Sequence, residues 1–118
     1  MAIIRAYTTI EQSRKLAEIL PLESADMYWF RDDTEIPKIY PKDMMKNSVS
    51  VTCPCWSLAS LLCVLPKGIR LLKSANISSV ADIKYYCDCP KGTVHEWYDN
   101  PVDACVAMIE KLHELNLL

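Results

Sequence analysis

Six cysteines are the residues of this chain whose type and spacing could support chemistry. They form two Cys-x-Cys pairs, Cys53 with Cys55 and Cys87 with Cys89, and two single residues, Cys63 and Cys105. Thiolate sulfur and imidazole nitrogen are ligands that zinc prefers. One hypothesis is therefore a zinc site built from Cys53, Cys55, Cys87, Cys89 and His95.

The spacing of these cysteines argues against metal binding. Familiar zinc motifs place two residues between paired cysteines, whereas a Cys-x-Cys pair on a strand puts both sulfurs on one face, about 7 Å apart. Buried cysteine also behaves as a small apolar residue. We expect mainly reduced packing cysteines, with Cys63 and Cys105 packing from helices and Cys87 and Cys89 on the apolar face of a hairpin. We expect no disulfides, metal or cofactor, and the zinc module stays as an alternative.

A thiol nucleophile is a further alternative, centred on Cys55. Pro54 is a residue type that favours the first position of a helix, and a helix N-terminus lowers the pKa of a nearby thiol. No histidine can be assigned as its base, since His95 falls in a predicted strand and His113 on the apolar flank of the last helix. With glycine only at Gly68 and Gly92, the chain also has no phosphate-binding loop, so the sequence leans away from an enzyme.

Charge is unevenly distributed along the chain. Residues 36–73 carry six lysines or arginines and one aspartate, between two acidic flanks, within a formal net charge of −2. Such a segment could bind an anion or a nucleic acid, or could neutralise the flanks within the fold. Because interleaved aromatic residues and a reading motif are missing, we do not expect nucleic-acid binding.

The first half of the chain contains signals for one helix and two strands. Thr8 and Glu11 have the spacing of a capping box before an apolar stripe that Pro21 ends, which predicts the first helix. The run Met27 to Phe30 predicts a buried strand, and the alternation of residues 48–52 predicts another. Residues 34–46 form a predicted loop between them.

The middle of the chain predicts a helix and a hairpin. Leu58, Leu61, Leu62 and Leu65 have helical spacing, and their apolar neighbours predict that this second helix is the most buried element. Residues 82–98 predict a hairpin around a turn at 90–92. That turn would pair Cys87 with His95 and Tyr85 with Trp97, with the cysteines on the more apolar face.

Residues 100–118 carry the strongest helix signals. Asn100 is a capping residue, Pro101 fits the first helical position, and Asp103 suits the first turn. Together these elements predict a single α+β domain over residues 1–118, in two layers, with three helices packed on a small antiparallel sheet that includes the 82–98 hairpin.

The location predicted for this domain is the cytoplasm. The N-terminal residues have no cationic leader followed by a long apolar stretch, so we expect no secretory signal. The longest apolar run is about half of the ~20 residues that a membrane-spanning helix needs. We therefore expect no membrane partner.

Four segments carry a resemblance to a known family. They are residues 9–27, residues 54–66 with Pro54, Cys55 and Trp56 at their start, residues 101–105 and the closing residues 112–118. The chain resembles a family of small uncharacterised proteins encoded by gut bacteria and their phages or mobile elements. The resemblance implies a bacterial setting, and it implies no activity, ligand or catalytic residue.

The function predicted from these observations is that of a non-catalytic accessory or interaction protein. It would act through an unidentified protein partner or through self-association, as in a homodimer. The hypotheses of a zinc module, of a thiol enzyme at Cys55 and of an anion binder remain beside it.

Overall fold

The computed structural model describes residues 5–30, 38–39, 51–73, 83–88 and 96–118. Within these ranges the chain forms three α-helices, one short 3₁₀ helix and five strands. In chain order they are α1 (Ile10–Ile19), the 3₁₀ helix (Leu22–Ser24), β1 (Met27–Phe30), β2 (Lys38–Ile39), β3 (Val51–Cys55), α2 (Leu58–Val64), β4 (Arg70–Lys73), β5 (Tyr85–Asp88) and α3 (Pro101–Glu114). The predicted α+β fold with three helices is confirmed, but its strands divide between two antiparallel sheets.

Helix α1 starts one residue later than the predicted capping box. Thr9 is the N-cap, because its hydroxyl accepts from the backbone N–H of Gln12 at 3.1 Å while the Gln12 side chain accepts from Thr9 N at 3.0 Å. Thr8 is instead fully buried and hydrogen-bonds elsewhere. Both threonines have a suitable residue three positions on, so only the surroundings distinguish them.

The first sheet has the order β2-β1-β3, with β1 in the middle. The predicted buried strand at Met27 to Phe30 is confirmed, and both Tyr28 and Trp29 are buried. Strand β3 extends to Cys55, so Pro54 lies in a strand opposite Tyr28 and does not open a helix. Among the described strands β3 lies at an edge of this sheet, where a proline removes no ladder hydrogen bond.

Helix α2 starts at Leu58, with Ser57 as its N-cap. The prediction that this helix is the most buried element is wrong: of its residues only Leu61 is buried, while Leu62 and Cys63 are exposed. The helix packs with one side on α3 and turns the other toward solvent. The apolar composition of α2 therefore does not predict how much of the helix is buried.

Helix α3 is the most buried helix of the described chain. Its buried residues are Pro101, Val102, Ala104, Cys105, Val106, Met108, Ile109 and Leu112. Asn100, Pro101 and Asp103 occupy the cap, the first position and the first turn, as predicted. None of the helices in the described ranges has the length and apolar composition that crossing a bilayer requires.

The cap of α3 supports a first prediction. Asn100 is 4% exposed, and its Oδ1 accepts from the backbone N–H of Val102 at 2.9 Å. Asn100→Ala removes this acceptor and should lower the free energy of unfolding by about 1 kcal/mol, measured by urea denaturation followed by circular dichroism. Asn100→Ser keeps an acceptor and should lose less; equal losses would contradict a capping role.

The second sheet pairs β4 with β5, with Arg70 opposite Asp88 and Leu72 opposite Tyr86. Beyond β5 the chain returns antiparallel to this strand, as predicted, and Tyr98 pairs with Tyr85 in an isolated β-bridge. The predicted partner of Tyr85 was Trp97, so the register differs by one residue. Such a shift reverses which side chains of the returning segment face the core, while Tyr85 and Cys87 of β5 keep the predicted side.

The consequence of this shift is that Tyr98, together with Tyr85, packs against the core, while Trp97 is 53% exposed. The predicted pairing of Cys87 with His95 is not covered, because His95 lies outside the described ranges, as do the turn residues 90–92.

The helices lie on the sheets, with α1 on β3 and α3 on β4 and β5. Among the described residues, this packing forms two clusters of buried apolar side chains. The small cluster consists of Trp29, Cys53 and Cys55. The large cluster consists of Leu16, Leu20, Trp56, Leu61, Leu65, Cys87, Val102, Ala104, Cys105, Val106, Met108, Ile109 and Leu112.

Candidate functional site

The first Cys-x-Cys pair lies in β3, inside the small cluster. Cys55 has no exposed surface, and the nearest helix begins only at Leu58. Burial raises the pKa of the Cys55 thiol, against hydrogen bonds from Thr8 and Ser13 that lower it. The prediction that a helix N-terminus activates Cys55 is therefore wrong, and Cys55 packs as a small apolar side chain.

The hypothetical zinc ligands do not meet in the described structure. Cys53 and Cys55 belong to the small cluster, whereas Cys87 belongs to the large cluster between β5 and α3. Cys89 and His95 lie outside the described residues. In the parts of the chain that the structure describes, no three cysteine, histidine, aspartate or glutamate side chains come close enough to hold a metal ion.

Three further side chains were placed by sequence on apolar helix faces. Cys105 is fully buried in α3, as predicted. Cys63 is exposed on α2, and His113 is exposed near the end of α3, so both of those predictions are wrong. Cys63 thus offers an accessible thiol for comparison with the buried ones.

Cys87 and Cys105 form a contact that the sequence did not indicate. Cys87 projects from β5 toward α3, where its thiol donates to the carbonyl oxygen of Ala104, the residue before Cys105, at 3.5 Å. The hydrogen bond from Cys105 lowers the pKa of Cys87, although burial opposes the shift. The same hydrogen bond, with burial, raises the pKa of Cys105.

A surface pocket of about 150 Å³ lies beside this pair. Cys87 lines it from β5, Glu96 and Tyr98 from the returning segment, and Lys111 from α3. The Tyr98 hydroxyl donates to Glu96 Oε2 at 2.7 Å, and burial together with this carboxylate raises the pKa of Tyr98 to about 12. The pocket therefore combines a thiol with fixed polar groups of both charges.

Each thiol of the pair was predicted to lie on an apolar face, Cys87 in the hairpin and Cys105 in α3. Both placements are confirmed by their burial. Their contact depends on how α3 crosses β5, for which neither segment carries a local signal.

The side of the second sheet that points away from α3 carries an aromatic pair. The outer face, as we name it, consists of Arg70, Leu72, Lys84, Tyr86, Asp88 and Trp97. The rings of Tyr86 and Trp97 contact each other in a tilted arrangement, with centroids 4.6 Å apart and an interplanar angle of 58°. Leu72 lies opposite Tyr86 in the ladder. The centre of this face is therefore apolar and partly exposed.

Two ion pairs border this aromatic centre. Arg70 donates to Asp88 Oδ2 at 2.6 Å, and Lys84 pairs with Asp99. The carboxylate of Asp88 raises the pKa of Arg70. The outer face thus has an aromatic middle and a charged rim that contains both signs.

The basic segment 36–73 is only partly described. Of its six basic side chains, Lys67, Arg70 and Lys73 are described, and all three are exposed. Arg70 is paired with Asp88, so part of the excess positive charge is neutralised within the fold.

Comparisons of the chain with protein families, with curated proteins and with solved structures found no match.

Proposed function

We propose that this protein is a non-catalytic interaction protein that self-associates through the outer face of the second sheet. The observation that carries the proposal is Trp97, which is 53% exposed although its ring contacts that of Tyr86. Tryptophan and tyrosine are the residues that most often supply binding energy at the centre of protein interfaces. The family resemblance adds the setting, an accessory protein in the cytoplasm of a bacterium, encoded there or on a mobile element.

A second copy of this chain is the partner that the charges favour. The two ion pairs described at the border of the outer face are Arg70 with Asp88 and Lys84 with Asp99, so this border carries equal numbers of positive and negative charges. In a two-fold dimer the same surface meets itself, so a face with a strong excess of one sign would repel its copy. A rim with balanced charges permits opposite charges to meet across the axis.

The test is the oligomeric state over a range of concentrations, measured by light scattering or sedimentation. Wild type should rise from monomer toward dimer, and Trp97→Glu should weaken the dimer about 30-fold or more, since truncated hot-spot residues cost about 2 kcal/mol or more. Leu62→Glu is the matched control, because Leu62 is 44% exposed but lies on α2.

A wild type that stays monomeric at every concentration would contradict self-association, whatever other partner then bound. Equal effects of Trp97→Glu and Leu62→Glu would place the interface elsewhere. Tryptophan quenching by acrylamide gives an independent reading: Trp29 and Trp56 are buried and Trp97 is exposed, so the quenchable emission comes mainly from Trp97. Quenching should decrease as concentration rises.

A further inference from the structure

Two thiols from separate elements, Cys87 of β5 and Cys105 of α3, belong to one buried cluster beside a surface pocket. The Cys87 thiol donates to the carbonyl oxygen of Ala104, the neighbour of Cys105 in α3, at 3.5 Å. Interior packing alone does not require this arrangement, because any apolar side chain of similar size would fill either position. The pocket gives a small molecule access to Cys87, which lines it, while Cys105 behind it has no exposed surface.

We propose that Cys87 and Cys105 are a hydroperoxide-reactive pair, in which a small hydroperoxide oxidises Cys87 and Cys105 then closes a disulfide. The proposal goes beyond self-association and does not depend on it, because both thiols belong to one chain and lie on the opposite side of β5 from the outer face.

The size of the pocket limits the oxidant. A volume of about 150 Å³ is well below the ~300–1,000 Å³ typical of drug-sized ligands, and a liquid water occupies about 30 Å³. Hydrogen peroxide or a small alkyl hydroperoxide therefore fits. Lys111 and Tyr98 line the same pocket. The ammonium of Lys111 can donate a hydrogen bond to a peroxide oxygen, and the Tyr98 hydroxyl, whose proton is donated to Glu96, can accept one from the peroxide O–H.

The two thiols differ in a way that assigns their roles. Cys87 lines the pocket whereas Cys105 has no exposed surface, so Cys87 is the thiol that meets the oxidant and acts as the nucleophile. The lowered pKa of Cys87 supports the same assignment. Cys105 has a raised pKa and keeps its proton, which makes it the hydrogen-bond donor before oxidation and the second thiol afterwards.

The reaction balances in two steps. The Cys87 thiolate attacks one peroxide oxygen, the O–O bond breaks, and the other oxygen leaves as hydroxide or alkoxide and takes up a proton; Cys87 becomes a sulfenic acid. The Cys105 sulfur then attacks the Cys87 sulfur, the S–O bond breaks, and the hydroxyl leaves as water with the proton of Cys105. Two thiols are oxidised to one disulfide, and one hydroperoxide is reduced.

The first experiment uses the full wild-type chain. Reduced protein is treated with one equivalent of hydrogen peroxide, free thiols are alkylated, and the protein is digested with a protease that cleaves before aspartate. Asp88 separates Cys87 from Cys89, and Asp103 starts the peptide that holds Cys105. Mass spectrometry should find peptide 82–87 joined to peptide 103–118, with Cys63 alkylated.

Variants test the order of the steps. In Cys105→Ala the sulfenic acid at Cys87 should persist and be trapped by dimedone, while Cys87→Ala should lose both the disulfide and the trapped product. Cys63→Ser is the control and should behave as wild type, because Cys63 is exposed on α2. Circular dichroism checks that each variant folds.

The wild-type digest decides the proposal even if a variant does not fold. A disulfide that contains Cys89 in place of Cys87, oxidation of Cys63 before Cys87, or two intact thiols after treatment would each overturn it.

Discussion

Trp56→Ala is expected to lower the free energy of unfolding by about 3–5 kcal/mol, the range found when a large buried aromatic side chain is truncated. The side chain has no exposed surface and lies in the large cluster with residues of α1, α2 and α3. Its indole Nε1 also donates to Ser24 Oγ at 2.9 Å. Since small domains are stable by only about 5–15 kcal/mol, this loss is a large fraction of the total.

Urea denaturation followed by circular dichroism measures the effect without relying on tryptophan emission. Trp56→Phe keeps most of the ring but loses the hydrogen bond to Ser24, so its loss should be intermediate, with about 1 kcal/mol from that bond. Trp97→Ala is the control, because it truncates the same type of side chain at a 53% exposed site. It should lower the free energy of unfolding by no more than about 1.5 kcal/mol. A loss at Trp97 as large as that at Trp56 would contradict the assigned core.

The second large effect concerns a polar network that is buried beside the small cluster. Thr8 and Ser13 are both fully buried, and their hydroxyl oxygens lie 2.7 Å apart. Thr8 Oγ1 accepts from Trp56 N at 3.1 Å, and Ser13 Oγ accepts from Trp29 Nε1 at 3.2 Å. The network therefore ties the start of α1 to β1 and to the residue that follows β3.

Thr8→Val is expected to cost about 2–4 kcal/mol, because it removes one acceptor of the Trp56 amide and one partner of Ser13, and buried groups without partners cost about 1–3 kcal/mol each. The substitution nearly preserves volume, so a cavity does not explain the loss. The free energy of unfolding is again measured by urea denaturation.

Thr8→Ser keeps the hydroxyl and loses one methyl group, so it should cost only about 0.8 kcal/mol. A double-mutant cycle with Ser13→Ala should show a coupling of about 0.5–3 kcal/mol, as expected for side chains in one hydrogen-bond network. The network would be disproved as a source of stability if Thr8→Val were at least as stable as Thr8→Ser.

The helices show how far local signals reach. Asn100, Pro101 and Asp103 specify the start of α3 by contacts within one turn, and the prediction is confirmed. At the start of α2, Pro54 was the predicted opening residue, but Ser57 is the N-cap. The choice falls to Ser57 because residues 51–55 pair with β1, and that pairing joins segments far apart in sequence.

Burial in α2 and the hairpin register show the same limit. Leucine spacing predicts a helix over Leu58 to Leu65, but only packing on α3 decides that Leu61 is inside and Leu62 outside. In the hairpin, Tyr85 could pair with Tyr98 or with Trp97, and the two registers place opposite sets of side chains of the returning segment toward the core. Contact with α3 favours the pattern that places Tyr85, Cys87 and Tyr98 on one side.

The structure groups the described cysteines by position in the fold: Cys53 and Cys55 lie in the small cluster, and Cys87 and Cys105 lie in the large cluster. By itself the sequence determined an α+β class, the positions of α1 and α3, the buried strand β1 and the packing character of Cys87 and Cys105, because caps, periodicity and apolar composition act over a few residues. Only the tertiary structure decided that Cys55 lies buried in a strand, that Cys87 meets Cys105 beside a pocket, and that Trp97 is exposed. These facts depend on how separate elements cross and pair, and neither segment alone carries a sequence signal for such contacts.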